Sequence, residues 1–403
     1  MVDVITNDQY PTSLLILILI SKPFNMRYSY YLLLLLMMQC SCNPEGKKQA
    51  ENENDSKNKA IIVDNNVLDS TEVQAMESAI ESGEYPNIHS VLIALNNKLI
   101  YENYWPGHDE SWGDKLGNIK HDKDSLHDIR SISKSIVSAC VGIAIDQGKI
   151  KSVDQKVFDF FPEFKKQDTG LKAALTIKHL LTMTSGLKWN EDIPYDNPEN
   201  SEIQMIRAPD AVGYVLSQPM DFPPGKVWKY NGGTTQLLAA ILQKTTGKRI
   251  DSFANEFLFQ PLGIPRFEWV KYPGTELPAA ASGLRLRSVD LLNFGLLYMN
   301  GGQWNNKQII PAQWVIDSHT LHIANKEGGG YGYQFWLWTD SIMNKPVPLV
   351  VCVGNGDQRV FMNKENGLVV VITAGNYNKW DIPKNAGALL KDFIYPAVFR
   401  KSN

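Results

Sequence analysis

Apolar positions along this chain recur in two rhythms. Behind Ser70-Thr71 they fall at Val73, Met76 and Ile80, with Gly83 beyond, a spacing that predicts a short capped helix. A wider face predicts a second helix over 131–147. There Ile132, Ile136, Val137, Cys140, Val141, Ile143 and Ala144 leave little polar surface, so burial on most sides is expected, and Gly148 ends the run. β-rich runs at 90–95 and 98–104 flank Asn96-Asn97 and predict a hairpin. Strand-like runs return at 331–338, 349–353 and 368–373, and a final helix is expected over about 384–396. From about 149 to 280 the pattern is short helical pieces and loops rich in Pro and Gly. Strands near both ends of the sequence around a helical middle predict an α+β fold. One antiparallel sheet would be formed from both chain ends and flanked by helices, with a mainly helical subdomain inserted at about 149–280. The aromatics at 331–338 fit a core strand or the wall of a substrate groove.

The first 42 residues read differently. Apolar runs at 14–20 and 30–38 are each shorter than the roughly 20 residues that span a bilayer. The second follows Met26-Arg27 and ends at Met-Met-Gln-Cys-Ser-Cys, 37–42. A basic residue, a Leu-rich core and then small or polar residues describe an export signal, with Met26 a candidate true start. The segment resembles a bacterial lipoprotein signal, with Cys42 and Cys40 as lipidation candidates; an ordinary cleaved signal is the alternative. A single lipidated cysteine would hold the protein at a membrane surface without spanning it, so a periplasmic or membrane-surface location is expected. Residues 43–60 are polar and read as a flexible tether, and the folded domain is expected over 61–400.

Composition narrows the function classes. At 403 residues the chain fits one large mixed domain or two closely packed ones. With 43% hydrophobic and 21% charged residues it has the profile of a soluble globular enzyme. A net charge of -3 without a sustained basic stripe lacks the footprint of a nucleic-acid binder. Cys140 and Cys352 stand alone in apolar runs and read as small buried hydrophobes. The cysteines have no zinc-type spacing.

The candidate chemistry is nucleophilic. Ser-x-x-Lys occurs three times, at Ser56/Lys59, Ser131/Lys134 and Ser185/Lys188. Ser56 falls in the polar tether, and Ser185 is followed by Gly186 as in a turn. Ser131 alone opens a long buried helix. Residues i and i+3 share a helix face, so Lys134 can reach Ser131. The helix N-terminus favours developing negative charge on the serine oxygen. An amine in its neutral form can accept the proton that serine must lose to become a nucleophile. The same pattern also fits a serine that merely caps the helix beside a solvated lysine. His179 reads as a hydrogen-bonded structural residue.

The chain resembles the β-lactamase-related serine hydrolases, the group of class C β-lactamases, D,D-carboxypeptidases and certain esterases. The resemblance runs along most of 85–380. It is carried by Ile129-Arg130-Ser131-Ile132-Ser133-Lys134-Ser135, by the run from His179 to Leu187, and by Ser282-Gly283-Leu284-Arg285-Leu286 with Asp290 and Gly301-Gly302-Gln303-Trp304. It implies a β-lactamase/transpeptidase-like fold and an acyl-enzyme at Ser131. Literal Tyr-x-Asn stands at Tyr101, Tyr195 and Tyr298, in a predicted hairpin, a polar loop and a helix end. The family's second motif matches better at Tyr230-Asn231-Gly232, behind Pro223-Pro224-Gly225 and Trp228. Tyr230 would then relay protons with Lys134, and Asn231 would be a substrate contact. The third motif corresponds to Gly354-Asn355-Gly356-Asp357-Gln358, where the family often has a cation at the first position and this chain has Asn355. Asn355, Gly356 and Asp357 are thus candidates for substrate or oxyanion contacts, with backbone N–H groups of this strand and of Ser131 as the oxyanion donors. The missing cation, and an acidic Asp357 close by, weaken the case for a substrate carboxylate. The expected reaction is hydrolysis of an ester or amide in a small-molecule or peptide substrate, esterase-like by preference. A β-lactamase or D,D-carboxypeptidase acting on peptidoglycan-type substrates, and a non-catalytic binding module, are the alternatives. No metal or organic cofactor is implied.

Overall fold

The computed structural model describes residues 61–62, 67–325 and 329–400. The leader, the lipidation candidates Cys40 and Cys42, the tether and the Ser56/Lys59 pair lie outside the described residues. The strands in chain order are β1 (Ile61–Ile62), β2 (Ile88–Leu95), β3 (Lys98–Tyr104), β4 (Pro106–Ser111), β5 (Asp114–Lys120), β6 (Leu126–Asp128), β7 (Glu268–Trp269), β8 (Leu284–Arg287), β9 (Gln303–Trp304), β10 (Lys307–Gln308), β11 (Ile323–Ala324), β12 (Gly330–Tyr331), β13 (Trp336–Ile342), β14 (Lys345–Gly354), β15 (Gln358–Asn363) and β16 (Leu368–Ala374). Nine of them form one antiparallel sheet in the order β1-β3-β2-β16-β15-β14-β13-β12-β11. The β2–β16 pair joins the two ends of the chain, with Leu92 opposite Val371 and Ile93 opposite Val370. The α+β fold with a sheet drawn from both chain ends is therefore observed.

These two strands are apolar on both faces because helices cover both. Leu92, Ala94, Val369 and Val371 face a core that contains helix α2 (Ile132–Asp146) and the helix Ser288–Met299. Val91, Ile93, Val370 and Ile372 face the opposite core, beneath α1 (Ser70–Glu81) and the C-terminal helical segment 386–399. Each such Val, Leu or Ile side chain contributes about 1.5–3 kcal/mol by leaving water. The middle of the chain supplies short helices, among them α3 (Ile177–Leu181), α4 (Ser201–Arg207), α5 (Ala211–Ser217) and the longer α6 (Gly232–Thr246). Buried residues of α2 and α6 share one core. Cys140 and Cys352 are buried free thiols.

Several elements depart from the sequence expectation for local reasons. The cap of α1 is Asp69, whose carboxylate accepts from Thr71 N at 2.9 Å, one residue ahead of the expected Ser70-Thr71. The run 331–338 is not one strand. Its break at 332–335 docks onto the helical middle, where Gln334 at φ 67° donates to Leu180 O at 3.0 Å and accepts from Thr235 Oγ1 at 2.9 Å. The β4–β5 hairpin and β15 were not expected; β5 is mostly exposed and shows no apolar alternation, and β15 opens on Gln358-Arg359.

The helix Ser288–Met299 approaches the sheet through Gly295. A Cβ there would lie 2.8 Å from Val369 Cγ1 and 3.1 Å from Val360 Cγ1. Gly295→Val is expected to cost about 1–3 kcal/mol through overpacking, read as a lower urea midpoint at unchanged m-value. An unchanged midpoint would show that the contact is slack.

Candidate active site

The site begins with a turn that aims a serine. β6 ends at Asp128, and Arg130 turns the chain with φ 47°, a backbone conformation that costs a non-glycine residue about 1–3 kcal/mol. The Arg130 side chain is tied down on three sides. Its Nε lies 3.0 Å from Asp128 Oδ2, it pairs with Glu110, and its guanidinium stands over the Tyr377 ring at 5.1 Å. Asp128 also accepts from Trp112 N at 2.6 Å, and burial raises its carboxyl to about 6. Ser131 follows at the N-cap of α2, yet its side chain makes no capping hydrogen bond. The hydroxyl goes instead to Lys134, whose Nζ lies 2.9 Å from Ser131 Oγ. Lys134 is only 1% exposed and also donates to Ala281 O at 2.9 Å. The same Nζ stands 4.9 Å from the centroid of the Tyr230 ring. Tyr230 in turn stacks on Trp336, with centroids 5.9 Å apart.

The structure brings some predicted residues to this point and puts others elsewhere. Ser131, Tyr230 and Asn355 line the cavities described below. Asn355 is locked in a two-way amide pair, donating to Asn378 Oδ1 at 2.7 Å and accepting from Asn378 N at 2.8 Å. Gly354 runs close under the nucleophile turn, since a Cβ there would meet Ile129 O at 2.3 Å. Gly356, at φ 90°, packs on the Tyr377 ring. Asn231 is buried and caps α6 through Oδ1, which accepts from Thr234 N at 3.1 Å. Asp357 accepts from Ala386 N at 2.6 Å and pairs with Arg359 at 3.2 Å, so its carboxylate is spent on the C-terminal helix. It lines neither cavity, and the expected repulsion of a substrate carboxylate by Asp357 finds no basis here. His179 is structural as expected: its Nδ1 accepts from Thr176 N at 3.1 Å in the cap of α3.

Two further carboxylates stand at the site. Glu202, on α4, is 2% exposed and accepts from Ser282 Oγ at 2.8 Å. Glu191 accepts from Trp189 Nε1 and Gly232 N, each at 2.7 Å, and from Tyr195 Oη at 2.9 Å. Burial, and then the repulsion of Glu191, hold the Glu202 carboxyl up at about 8, against the opposing pull of Lys134. These groups explain why Gly232 stands where the family pattern has Asn. A Cβ on it would already lie 3.3 Å from both Glu191 Oε2 and Glu202 Oε2, so the carboxylates occupy that space. Neither Glu belongs to a motif; only the fold places them beside the helix start.

Two cavities meet at Ser131. One, about 460 Å³, is walled by Trp228, Tyr230, Trp336, Trp380 and Tyr195. The other, about 380 Å³, is lined by Trp112, Arg130, Glu202, Arg207 and Ser282. Tyr195 and Asn355 border both. Of the three literal Tyr-x-Asn positions, Tyr195 therefore does reach the site, whereas Tyr101 and Tyr298 are core residues. A serine oxygen against a buried amine, with room on either side, can attack a carbonyl whose two substituents extend in opposite directions.

Comparison with known proteins agrees with this fold. The family model named Beta-lactamase matches residues 74–390. The chain is 23% identical over 295 residues to the 6-aminohexanoate-dimer hydrolase of Paenarthrobacter ureafaciens, covering 68% of this chain and 67% of that protein. It is 27% identical over 150 residues to Esterase EstB of Burkholderia gladioli, covering 35% of this chain and only 38% of that protein. Among solved structures, EstCE1, described as a hydrolase with promiscuous acyltransferase activity, superposes with a TM-score of 0.62 at 17% identity, over 82% of this chain and 98% of that one.

The Glu202 carboxyl gives a pH signature. Its folded value of about 8 lies above its ordinary 4.5. The folded state therefore keeps a proton that the unfolded chain releases. Its stabilising contribution is complete below about pH 4.5 and is lost as pH rises through about 8. Glu202→Gln removes this dependence, so its urea midpoint should rise relative to that of the native chain between pH 5 and pH 8. Parallel pH profiles would contradict the assignment.

Proposed function

The chain belongs to the beta-lactamase family, and from that premise we propose that it is a serine hydrolase that cleaves an uncharged ester, or a small amide, through an acyl-enzyme at Ser131. The observation that carries this reading is the 2.9 Å approach of a buried lysine amine to the Ser131 hydroxyl where two cavities meet. In acylation Ser131 Oγ bonds to the carbonyl carbon and its proton passes to Lys134, which has to enter the step unprotonated. The carbonyl π pair moves onto oxygen, where N–H groups of Ser131 and of the Asn355–Asp357 segment are the proposed donors. Collapse of the adduct expels the leaving group, which takes a proton by way of Tyr230. Water then attacks the acyl carbonyl, giving a proton to Lys134, and Ser131 Oγ takes a proton back from it as the acid departs.

Substrate class follows from the walls. The larger cavity is aromatic, which suits an apolar acyl or aryl group. Its lysine, Lys229, is paired with Asp192, and Arg130 in the second cavity is paired with Asp128 and Glu110. Asn355 replaces the family cation and is itself held by Asn378. These pairings weaken carboxylate binding beside the nucleophile and favour esters over penicillins, with Arg207, an exposed cation of the second cavity, standing outside them. The relatives' names, an esterase and a 6-aminohexanoate-dimer hydrolase, suit a reading of ester or amide cleavage. The leader at 1–42 adds a proposed location, exported and held at a membrane surface if Cys42 or Cys40 is lipidated.

A fluorophosphonate is expected to label the native chain and to leave Ser131→Ala unlabelled. Turnover of an aryl ester should fall by about 10²–10⁴-fold in Lys134→Ala. Equal labelling of Ser131→Ala, or full activity without Lys134, would overturn the reading. Strong labelling of Ser131 by a fluorescent penicillin at low concentration would move the substrate to β-lactams.

A further inference from the structure

Four buried side chains from four segments meet behind the nucleophile turn. They are His89 on β2, Asp109 on β4, His121 just past β5 and His127 on β6. One potential ligand atom from each lies within 4.8 Å of all the others. The rings are stacked, with centroids 3.9 Å apart for His89 and His121 and 4.8 Å apart for His121 and His127. Five of the six ring nitrogens are buried without a hydrogen-bond partner: His89 Nδ1 and both nitrogens of His121 and of His127. The sixth, His89 Nε2, lies 3.0 Å from His108 O. A carbonyl oxygen only accepts, so Nε2 carries the proton and Nδ1 keeps its lone pair. Asp109 Oδ1 accepts from Tyr377 Oη at 2.9 Å and from Glu110 N at 2.8 Å, which fixes the carboxylate. The backbone makes room around His89: a Cβ on Gly375 would lie 2.7 Å from Nε2 and one on Gly107 2.7 Å from Cδ2.

A stack of three imidazoles with five idle nitrogens is an unusual way to fill a protein interior, where buried polar atoms nearly always find partners. A bound cation would give these nitrogens a partner. Three imidazoles and a carboxylate form a donor set suited to a borderline first-row divalent ion such as zinc. Tetrahedral bonds of about 2.0–2.1 Å put donors about 3.3 Å apart, so loading the group requires it to contract and the stacked rings to turn until their lone pairs converge.

We propose that His89, Asp109, His121 and His127 bind one divalent transition-metal ion, zinc in class, as a closed structural site. Four protein ligands leave no open position, which separates it from a catalytic metal. Its ligands tie β2, the β4–β5 hairpin and β6 together. Two links lead from it to the nucleophile. His127 stands four residues before Ser131, and Asp109 holds Tyr377, over which Arg130 packs. The ion would therefore steady the strained turn that aims Ser131. The sequence expectation of no metal came from the family resemblance and from cysteine spacing, and these ligands, at 89, 109, 121 and 127, form no short motif.

The test uses the whole chain purified without a polyhistidine tag from zinc-supplemented medium. Elemental analysis is expected to find one zinc per chain that survives a weak-chelator wash. His121→Ala and Asp109→Asn should lose it, whereas His322→Ala, outside the group, should keep it. To keep the test independent of whether the site variants fold, the native chain is also stripped with a strong chelator and titrated with Co²⁺. A visible absorption band of four-coordinate cobalt that saturates at one equivalent, with a rise in melting temperature, is expected. Folded protein that holds no metal and gives no cobalt band would overturn the proposal, leaving a stack bridged by water alone. So would metal retained at the native level in His121→Ala and Asp109→Asn.

Discussion

One buried amine organises the centre of this molecule. Lys134 is 1% exposed, and a lysine is rarely enclosed without partners for its nitrogen. Its Nζ has three neighbours, and each comes from a different part of the chain. Ser131 belongs to the same helix, Ala281 precedes β8, and Tyr230 precedes α6. The helical middle must therefore dock against α2 in one register for the amine to be satisfied. The apolar faces of α2 and α6 make that docking favourable, and Gln334, bonded to both Thr235 and the carbonyls of Leu180 and Leu181, joins the same middle to the sheet. Packing and chemistry thus place the same demand on the chain.

Around that amine the charges are arranged in pairs. Arg130 is matched by Asp128 and Glu110, and Lys229 by Asp192. Glu191 is satisfied by three N–H or O–H donors. Glu202 is the exception, with its carboxyl raised beside Lys134 and Glu191. A proton on Glu202 is the cheapest way to keep two carboxyl groups side by side in a dry space. The walls next to Ser131 are thus largely aromatic or ion-paired, with Arg207 of the second cavity outside these pairs, and the balance suits an uncharged substrate.

Much of this was legible in the residues, and the gaps have physical causes. The helix at 131–147 announced itself because nearly every turn is apolar, and the β2–β3 hairpin because Asn96-Asn97 supplies two positive φ values at the turn. Ser131 and Lys134 were legible because three residues on a helix is a fixed distance. The hairpin β4–β5 was hidden because an exposed two-stranded ribbon has no buried face to write a pattern. Glu191, Glu202 and the His89–Asp109–His121–His127 group were hidden for another reason. Their members are far apart in sequence and become neighbours only when strands and helices pack. Asp357 misled in the opposite sense: its motif position suggested a role at the site, but its carboxylate serves the C-terminal helix.

Everything in the proposed reaction turns on transfer of a substrate's acyl group to Ser131. The decisive experiment is rapid mixing of the chain with an aryl acetate, quenching in acid during turnover, and peptide mass analysis. A burst of one equivalent of phenol per chain and an acetyl group on the peptide that contains Ser131 are expected. Steady turnover with no burst and no acylated serine, or an acetyl group carried on another residue, would contradict it.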